Sequence, residues 1–566
     1  MKAIICALNS KYIHSSLAPW CLLAGVRAYC CDGISAKVLE GTVNEPRKAV
    51  LNRVLSENAD VIGFSTYIWN VTAVLELAEQ IKAQRPHTNI VLGGPEVSYR
   101  AGQVLEEYPF VDFVISGEGE RPFALLLNAI QVGEYKAFLK IDGLCCRTEN
   151  GLHLSAPCLP TQDPVSPYCD EFFDALKGRI AYLETSRGCP YSCAFCLSGR
   201  CGTVRFFNLE TAKKNILLLA NSGAQTVKLV DRTFNANKKR AYELFSFIIA
   251  QYGKKIPDGV CFHFEIAGDI LDDSLLSLLA TAPKGAIQLE IGLQSFHEKT
   301  LDAIHRKTDT QKLVANIRKL LAPRNIHIHI DLIAGLPYED YACFSKSFDL
   351  AFSLQPDMLQ FGFLKLLYGA PMRENRTEYP CVFSDTPPYE VQSTPWLTAE
   401  ELHKMHETED AFDRVYNSGR FRRTVAYALS KSKLTPFAFF TSFAMWLKEQ
   451  QGESAKLPLD VYSEHFYHFL CTLPQSEQAV LRDKMVCDRL ATNASGVLPA
   501  FLKVADSRLK AVRTALNACA DTRTLPSVKR AVAILYSENR AVYVDYTEAD
   551  CVTGEYPLQY ISLKEK

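Results

Sequence analysis

Three cysteines of this chain have the spacing of a metal-cluster site. Cys189, Cys193 and Cys196 supply three soft thiolates within eight residues, directly after a predicted strand. Thiolates are the usual ligands of iron–sulfur clusters, and three of them leave one iron of a [4Fe–4S] cluster open to a further molecule. Zinc would prefer four ligands, and the nearest fourth candidate is Cys201, five residues further along. The spacing therefore favours a [4Fe–4S] cluster with an open iron over a zinc site.

The length and composition of the chain limit what else it could be. Its 566 residues are enough for about three or four domains. The formal net charge of −1 gives no reason to expect a nucleic acid or an acidic membrane as partner. No apolar stretch is long enough to cross a bilayer, and residues 1–8 are typical of a first strand, not of a secretory signal. We therefore expect a cytoplasmic protein whose 19 cysteines are mostly reduced thiols.

Residues 1–135 alternate short β-branched runs with helical patterns. This alternation predicts a doubly wound parallel sheet with helices on both faces. Strands are predicted at 3–8, 60–66, 89–94 and 113–117, and helices at 17–29 and 71–83. Ligands of such sheets bind beyond the carboxyl ends of the strands. The residues that fall there are Ser65, Thr66, Gly93, Gly94, Glu118 and Gly119.

The rest of the chain divides into three parts. Residues 136–177 are rich in proline and are predicted to connect two domains. Residues 178–375 form a second β/α series that predicts a partial (β/α)6 barrel with its site at the strand carboxyl ends. Residues 376–566 are predicted to be mainly helical. Strands are predicted at 180–185, 226–230, 261–266, 286–291, 327–333 and 358–364, helices at 211–220, 239–251, 399–417, 436–451, 461–470 and 476–490, and a β-like tail at 530–544.

The cysteine run and the motifs after it resemble the radical S-adenosylmethionine (SAM) superfamily. Phe195 stands where the family has an aromatic residue before its last cysteine. Residues 230–235, 290–306, 331–337 and 363–367 are similar to family motifs in the same order. The resemblance implies a TIM-like radical SAM barrel. It implies SAM contacts at Phe195, Asp231, Glu265, Gln294, Ser295, Gly335 and Leu364.

Some residues of these motifs also have a purely structural interpretation. Asp231 and Asn235 could cap a helix. Glu265 could be an acidic residue that ends a strand. Gln294 and Ser295 are expected to face a ligand, because active sites collect at the barrel rim.

The N-terminal motifs resemble the cobalamin-binding subfamily of radical SAM enzymes. Residues 63–66, 91–96 and 116–120 carry this resemblance, and it implies cobalamin contacts at the strand-end residues named above. Many cobalamin domains bind cobalt through the histidine of an Asp-x-His-x-x-Gly motif. Here residues 12–17 contain His14 but neither the aspartate nor the glycine. Without an acid to orient it, His14 is expected to be a loop hydrogen-bonder.

The resemblance implies a function. The cluster, once reduced by a flavodoxin- or ferredoxin-type donor, would cleave SAM to methionine and a 5′-deoxyadenosyl radical, which takes hydrogen from an unactivated carbon. C-methylation of a small molecule or peptide is the leading hypothesis, and cyclisation or ring rearrangement with the same cofactors is the alternative. Residues 389–394 and 416–421 resemble an accessory domain of uncharacterised members, and imply no activity.

Two further hypotheses use other features of the chain. A methylthiotransferase would hold a second cluster on three N-terminal cysteines, but Cys6, Cys21, Cys30 and Cys31 have the wrong spacing for it. A non-catalytic cobalamin or SAM sensor would have no need to retain all three cluster cysteines.

Overall fold

The structure is a computed structural model that describes residues 1–452, 457–519 and 529–563. Its N-terminal strands are β1 (Lys2–Asn9), β2 (Ser35–Thr42), β3 (Val61–Ser65), β4 (Asn89–Gly93) and β5 (Phe113–Ile115). Its helices are α1 (Ala18–Tyr29), α2 (Arg47–Ser56), α3 (Val71–Gln84), α4 (Pro95–Ser98), α5 (Ala101–Glu107) and α6 (Glu120–Val132). The strands run parallel in the order β2-β1-β3-β4-β5. The chain direction across the sheet reverses between β1 and β3, where such sheets open a ligand crevice.

The doubly wound sheet is as predicted, with strand β2 and helices α2, α4, α5 and α6 added. Every residue of β3 is buried, because helices cover both faces of the sheet. β2 and α2 are missing from the sequence-based prediction. β2 lies at the sheet edge and contains charged residues, the exposed Lys37 and the largely buried Glu40, so it has no apolar run to identify it.

The connector predicted at residues 136–177 needs a correction. Two strands in this range, β6 (Leu144–Thr148) and β7 (Gly151–His153), continue the N-terminal sheet antiparallel to β5. Leu144, Cys145 and Cys146 are buried there and pack into the core of the N-terminal sheet. Strand β6 was not predicted from the sequence, because its apolar run is short and lies between turn residues. The domain boundaries themselves stay a prediction.

The second β/α series forms a six-stranded parallel sheet. Its strands follow one another in chain order, β8-β11-β12-β13-β14-β15, with free edges at β8 and β15, as expected of a partial barrel. The strands are β8 (Ala181–Leu183), β9 (Ser186–Arg187), β10 (Arg205–Phe206), β11 (Thr226–Leu229), β12 (Cys261–Ile266), β13 (Ile287–Gln294), β14 (His327–Ala334) and β15 (Met358–Phe363). The helices are α7 (Asp170–Leu176), α8 (Leu209–Ala220), α9 (Lys238–Gln251), α10 (Asp273–Ala280), α11 (Glu298–Ala303), α12 (Thr310–Leu321), α13 (Tyr341–Ser353) and α14 (Pro371–Glu374).

The two faces of this sheet differ in polarity. Residues on one face are apolar and fully buried beneath the helices, as Phe262, Leu289 and Ile330 are. Residues on the other face are polar and stand side by side in register, as in the row Glu265, Glu290 and His329. The concave side of the sheet is therefore a polar lumen.

The C-terminal region is mainly helical, as predicted. Its helices are α15 (Ala399–Phe412) with a π-helical turn (Asp413–Asn417), α16 (Arg422–Lys431), α17 (Pro436–Gln451), α18 (Leu459–Thr472), α19 (Gln478–Thr492) and α20 (Arg508–Cys519). Its strands are β16 (Val382–Phe383), β17 (Val391–Ser393), β18 (Arg530–Leu535), β19 (Arg540–Asp545) and β20 (Gln559–Ser562). Aromatic rings join it to the barrel: Phe437 and Phe440 pack against Phe348 of α13. Within the described ranges, no helix has the length and apolar character that crossing a membrane requires.

The C-terminal region also covers a free edge of the barrel sheet. Asn417 donates its amide to the carbonyl oxygen of Leu359 at 2.9 Å and accepts the Leu359 N–H at 3.1 Å. The Tyr416 hydroxyl donates to Pro356 O at 2.7 Å. Asn417 thus takes the place of a neighbouring strand on β15, whose backbone groups would otherwise lack partners.

We expect Asn417→Ala to destabilise the protein by about 1–3 kcal/mol, because it leaves a buried backbone donor and acceptor unpaired. The midpoint of urea unfolding measures the effect. The control is Asn44→Ala, which removes an amide that bonds Ser10 O at the exposed surface. Equal midpoints for the two variants would contradict the role of Asn417.

Candidate functional site

The loop that carries the three cysteines follows β9 at the carboxyl end of the barrel sheet. Gly188 begins it with φ of 97°, and a Cβ there would lie 2.2 Å from Thr203 O, so only glycine fits. The backbone of Ala194 fixes the loop from both sides, since its N–H donates to Ile304 O at 2.9 Å and its carbonyl accepts from Met372 N at 3.0 Å. The chain therefore holds this loop in one conformation.

The cysteines fit the cluster predicted for them. Cys189 and Cys193 are buried, Cys196 is partly exposed, and all three are free thiols. Arg306 donates to the sulfur of Cys193 at 3.6 Å and to Gly292 O. Burial raises the pKa of the Cys193 thiol, and the cation of Arg306 opposes this by favouring the thiolate, which is the form that binds iron. Arg306 was not among the predicted site residues, although it ends the motif at 290–306 that carries the family resemblance.

Gln294 is a predicted SAM contact with ligand-binding geometry. It ends β13 with φ of 73°, a left-handed conformation that is costly for a residue other than glycine. Its Oε1 is buried, and within the described chain no group donates a hydrogen bond to it. A Cβ on Gly292 would lie 2.4 Å from its Nε2, so this side chain needs the glycine beside it. An orphaned acceptor at a strained strand end fits a ligand that donates from a hydroxyl or an ammonium group.

The side chains of two other predicted SAM contacts form hydrogen bonds within the protein. The carboxylate of Asp231 accepts from Thr185 N at 2.9 Å and from Thr185 Oγ1 at 2.7 Å, and burial raises its pKa. Ser295 is fully buried and donates to Glu339 Oε1 at 2.6 Å. Both side chains hold neighbouring strand ends together, which differs from the rim-facing position expected of Ser295. Their contact with SAM stays a prediction.

The remaining predicted SAM contacts surround the same end of the sheet. Phe195 and Glu265 are partly buried, and Gly335 and Leu364 are buried. Glu265 has only distant cations, Arg232 at 3.7 Å and Lys228 at 3.9 Å, and burial raises its pKa. Its carboxylate is therefore free to accept a further hydrogen bond.

Charged groups continue down the lumen below these residues. Glu290 accepts from His263 at 2.8 Å and Lys228 at 3.1 Å, and these partners outweigh burial and lower its pKa to about 2. His329 Nε2 lies 3.0 Å from Asp331 Oδ1. Glu290, His329 and Asp331 bring three ligand atoms within 4.8 Å of one another. The ammonium group of Lys228 next to Glu290 disfavours a metal ion here.

The strand ends of the N-terminal sheet form a second site. Ser65 is buried, and its hydroxyl has no hydrogen-bond partner within the described residues. Gly94 has φ of 107°, and a Cβ there would lie 2.5 Å from Thr66 O. Gly93 ends β4, and a Cβ on Gly119 would lie 2.9 Å from Leu22 Cδ2, so Gly119 too has close protein neighbours. An orphaned hydroxyl within a glycine-lined cradle fits the predicted cobalamin.

Sequence reasoning missed two aromatic residues at this site. Tyr67 and Trp69 follow β3 directly and stack with ring centroids 4.4 Å apart. Trp69 is 49% exposed, which is unusual for so large an apolar side chain. Their position just after Ser65 and Thr66 was the available signal. His14 is hydrogen-bonded to Tyr182 at 2.8 Å, as expected of a loop hydrogen-bonder.

A buried group of charges joins the two sites. Arg187, the last residue of β9, contacts Glu118, Glu120 at 2.6 Å and Glu184 at 2.8 Å. Arg205 pairs with Arg187 across the β9–β10 ribbon and contacts Glu118 at 2.8 Å. The carboxylate of Glu118 is therefore engaged between domains, and its predicted contact with cobalamin stays a prediction.

Comparison with known protein families divides the chain into three consecutive parts. Residues 5–127 match the B12 binding domain, residues 183–351 match the radical SAM superfamily, and residues 377–552 match a protein family of unknown function, DUF4080. The chain therefore contains a B12-binding domain followed by a radical SAM domain. The cluster cysteines lie within the radical SAM match, and the glycine-lined cradle lies within the B12-binding match.

Relatives with an assigned activity include methyltransferases. A 2-(S-pantetheinyl)-carbapenam-3-carboxylate methyltransferase of Streptantibioticus cattleyicolor is 28% identical over 305 residues, which are 50% of this chain and 43% of that protein. The cobalamin-dependent radical SAM methyltransferase TokK of Streptomyces tokunonensis is 28% identical over 295 residues, with the same shares. The match thus spans less than half of each relative's length.

A solved structure supports the fold. OxsB, a cobalamin-dependent SAM radical enzyme with aqua-cobalamin bound, aligns with a TM-score of 0.59 and 14% identity. The alignment covers 86% of this chain and 79% of OxsB. At this identity the likeness concerns the fold alone.

The carboxylate of Glu339 gives the site a testable pH dependence. Glu339 is fully buried, its Oε1 accepts from Ser295 and from Ser347 at 2.9 Å, and burial raises its pKa from 4.5 to about 7. Between these two values the folded state keeps a proton that the unfolded state has released. Stability from this group is therefore highest at low pH and falls as the pH rises through this window.

We expect Glu339→Gln to remove this dependence. Relative to the wild type, the variant should gain stability between about pH 5 and pH 8, by up to roughly 3 kcal/mol. Unfolding midpoints at both pH values measure the gain, and the exposed Glu298→Gln variant controls for the loss of one carboxylate. The same difference between variant and wild type at both pH values would contradict a protonated Glu339.

Proposed function

We propose that the chain is a cobalamin-dependent radical SAM methyltransferase that methylates an unactivated carbon. The observation that carries this proposal is the charge group around Arg187. It connects the loop of the cluster cysteines to Glu118 and Glu120, which follow the last parallel strand of the B12-binding domain. The carboxyl ends of both sheets therefore meet, and the two cofactor sites share one region.

Each cofactor has side chains suited to hold it. Cys189, Cys193 and Cys196 would bind a [4Fe–4S] cluster. Gln294 and Glu265 offer free acceptors for SAM. The corrin would bind at the carboxyl ends of β3 and β4, at the cradle of Gly94. When bound, the reduced cluster supplies an electron for the cleavage of SAM, and cobalamin carries a methyl group.

The protein's own residues prepare the site for this chemistry. The left-handed Gln294 holds its acceptor in place, because Glu339 binds the adjacent Ser295. Arg306 places a positive charge at Cys193, which stabilises the thiolate and the additional negative charge of a reduced cluster. The hydrogen-bonded side chains of the lumen, among them Glu290, His263 and Lys228, would orient a substrate there.

The reaction balances with two molecules of SAM for each methyl group. One gives its methyl group and leaves as S-adenosylhomocysteine. The other takes up an electron and one hydrogen atom from the substrate carbon and leaves as methionine and 5′-deoxyadenosine. Two electrons enter in all, from a donor of the flavodoxin or ferredoxin class. A small molecule is the substrate class that we propose, and the free cysteines support a cytoplasmic location.

The alternatives have less support. A cyclase or ring-rearranging enzyme would use the same cofactors, and no side chain of the described site favours it. A methylthiotransferase needs three N-terminal cysteines at one place. Here Cys6 is buried in β1, Cys21 is buried in α1, and Cys30 and Cys31 follow that helix. All three radical SAM cysteines are retained, which argues against a sensor.

The test is anaerobic reconstitution with iron, sulfide and hydroxocobalamin, followed by SAM and a strong reductant. We expect 5′-deoxyadenosine, together with at most one S-adenosylhomocysteine per bound cobalamin, because no substrate removes the methyl group. Cys196→Ala should abolish 5′-deoxyadenosine formation. Cys343→Ala, which changes a cysteine of α13, is the matched control.

Two results would contradict the proposal in different ways. A protein that releases 5′-deoxyadenosine but retains no corrin would refute its cobalamin part and leave the radical chemistry intact. A protein that cleaves no SAM at all, with iron and sulfide fully incorporated, would refute the radical part.

A further inference from the structure

One segment of the DUF4080 domain lies against the predicted SAM site. This segment, residues 389–393, is called the strap below. Leu366 N donates to Tyr389 O at 2.9 Å, and Val391 N donates to Leu364 O at 2.9 Å. The strap therefore pairs with the residues that follow β15, beginning with Leu364, which is a predicted SAM contact.

The side chain of Val391 packs on a second predicted SAM contact. Gly335 has φ of 88°, and a Cβ there would lie 2.6 Å from Val391 Cγ1. Val391 is 3% exposed, so the space beside the glycine is filled. Any movement of the strap would change the surroundings of both Gly335 and Leu364.

The next contact reaches the B12-binding domain. The Tyr389 hydroxyl donates a hydrogen bond to Glu96 Oε1, and both side chains are buried. Glu96 belongs to α4, directly after Gly93 and Gly94 of the cradle, and also accepts from Arg100 at 3.0 Å. A buried hydrogen bond to a carboxylate is strong and directional, so it fixes the distance between the two segments it joins.

Glu390, which lies between Tyr389 and Val391, links the strap to the helical C-terminal region. Glu390 pairs with His406 of α15 at 2.9 Å, and the ring of His406 stacks on Phe363 with centroids 3.5 Å apart. Three consecutive residues thus contact three parts of the molecule: Tyr389 the B12-binding domain, Glu390 α15, and Val391 the barrel.

We propose that Tyr389 is a positioning residue that sets the cobalamin cradle relative to the SAM site. The DUF4080 domain then takes part in the reaction through the strap. This inference rests on the proposed function, because it assumes that a methyl group passes between the two sites. Transfer between two bound molecules depends steeply on their separation and orientation, whereas binding of each alone does not.

The test compares the rates at which one protein releases S-adenosylhomocysteine and 5′-deoxyadenosine. In reconstituted full-length Tyr389→Phe with hydroxocobalamin, SAM and reductant, we expect the rate of S-adenosylhomocysteine release to fall about tenfold or more. The rate of 5′-deoxyadenosine release, the iron content and the bound cobalamin should stay within about twofold of the wild type, because the variant lacks only one hydroxyl oxygen. A purely structural defect would lower both products together.

Matched variants complete the experiment. Tyr416→Phe also removes a tyrosine hydroxyl that joins the C-terminal region to the barrel, at Pro356, and should leave both rates unchanged. Glu96→Leu, which removes the acceptor of the Tyr389 hydroxyl, should lower the S-adenosylhomocysteine rate as Tyr389→Phe does, and the double variant should be no worse than either single one.

Three outcomes would overturn the inference. Tyr389→Phe could release both products at wild-type rates, it could lower both equally, or its effect could add to that of Glu96→Leu. If the wild type releases 5′-deoxyadenosine but no S-adenosylhomocysteine, the proposed methyl transfer is itself wrong, and the inference falls with it.

Discussion

The ion group around Arg187 is the interaction on which the arrangement of the sites depends. One guanidinium lies among Glu118, Glu120 and Glu184, and its side chain is 19% exposed. Burial raises the pKa of Glu184, while Glu184 and Glu120 outweigh burial and raise the pKa of Arg187, so the guanidinium keeps its charge. Removing one partner of a buried ion pair lowers the free energy of unfolding by about 3–5 kcal/mol, because the other charge is left unpaired. The group therefore permits one relative placement of the two domains.

The cluster loop and the strap both depend on this placement of the B12-binding domain against the barrel. Arg187 precedes the glycine and cysteine that begin the cluster loop, so the same residue that fixes the B12-binding domain also fixes the first cluster ligand. The strap joins the two domains at a second place, through Tyr389 and Glu96. Two separate contacts determine an orientation that one contact leaves free to rotate. The DUF4080 region thereby contributes to the site, although none of its residues is a predicted cofactor ligand.

Much of the fold could be predicted from the sequence, for physical reasons that differ between elements. The barrel strands were identified because they alternate apolar and polar residues, and the structure confirms all six. β2 and β6 were missed: one lies at a sheet edge with charged residues, and the other is a short run among turns. The three cysteines were identifiable because a cluster demands one residue type at short spacing.

Other site residues could not be foreseen. Ser295 was expected at the rim, but its hydroxyl turns inward to Glu339, and no local pattern reports a partner 44 residues away. Arg306, Arg187 and Tyr389 act through long-range contacts with Cys193, Glu118 and Glu96. Such contacts depend on how domains pack, which the sequence pattern of one segment does not contain.

The central claim is that the cluster and the corrin lie close together in one molecule. Electron paramagnetic resonance of the protein loaded with both, with the cluster reduced and the cobalt in its Co(II) form, tests it most directly. We expect the two spectra to be broadened or split by magnetic interaction between the centres, compared with samples loaded with only one of them. Two unperturbed spectra that simply add, with both cofactors at full occupancy, would contradict it.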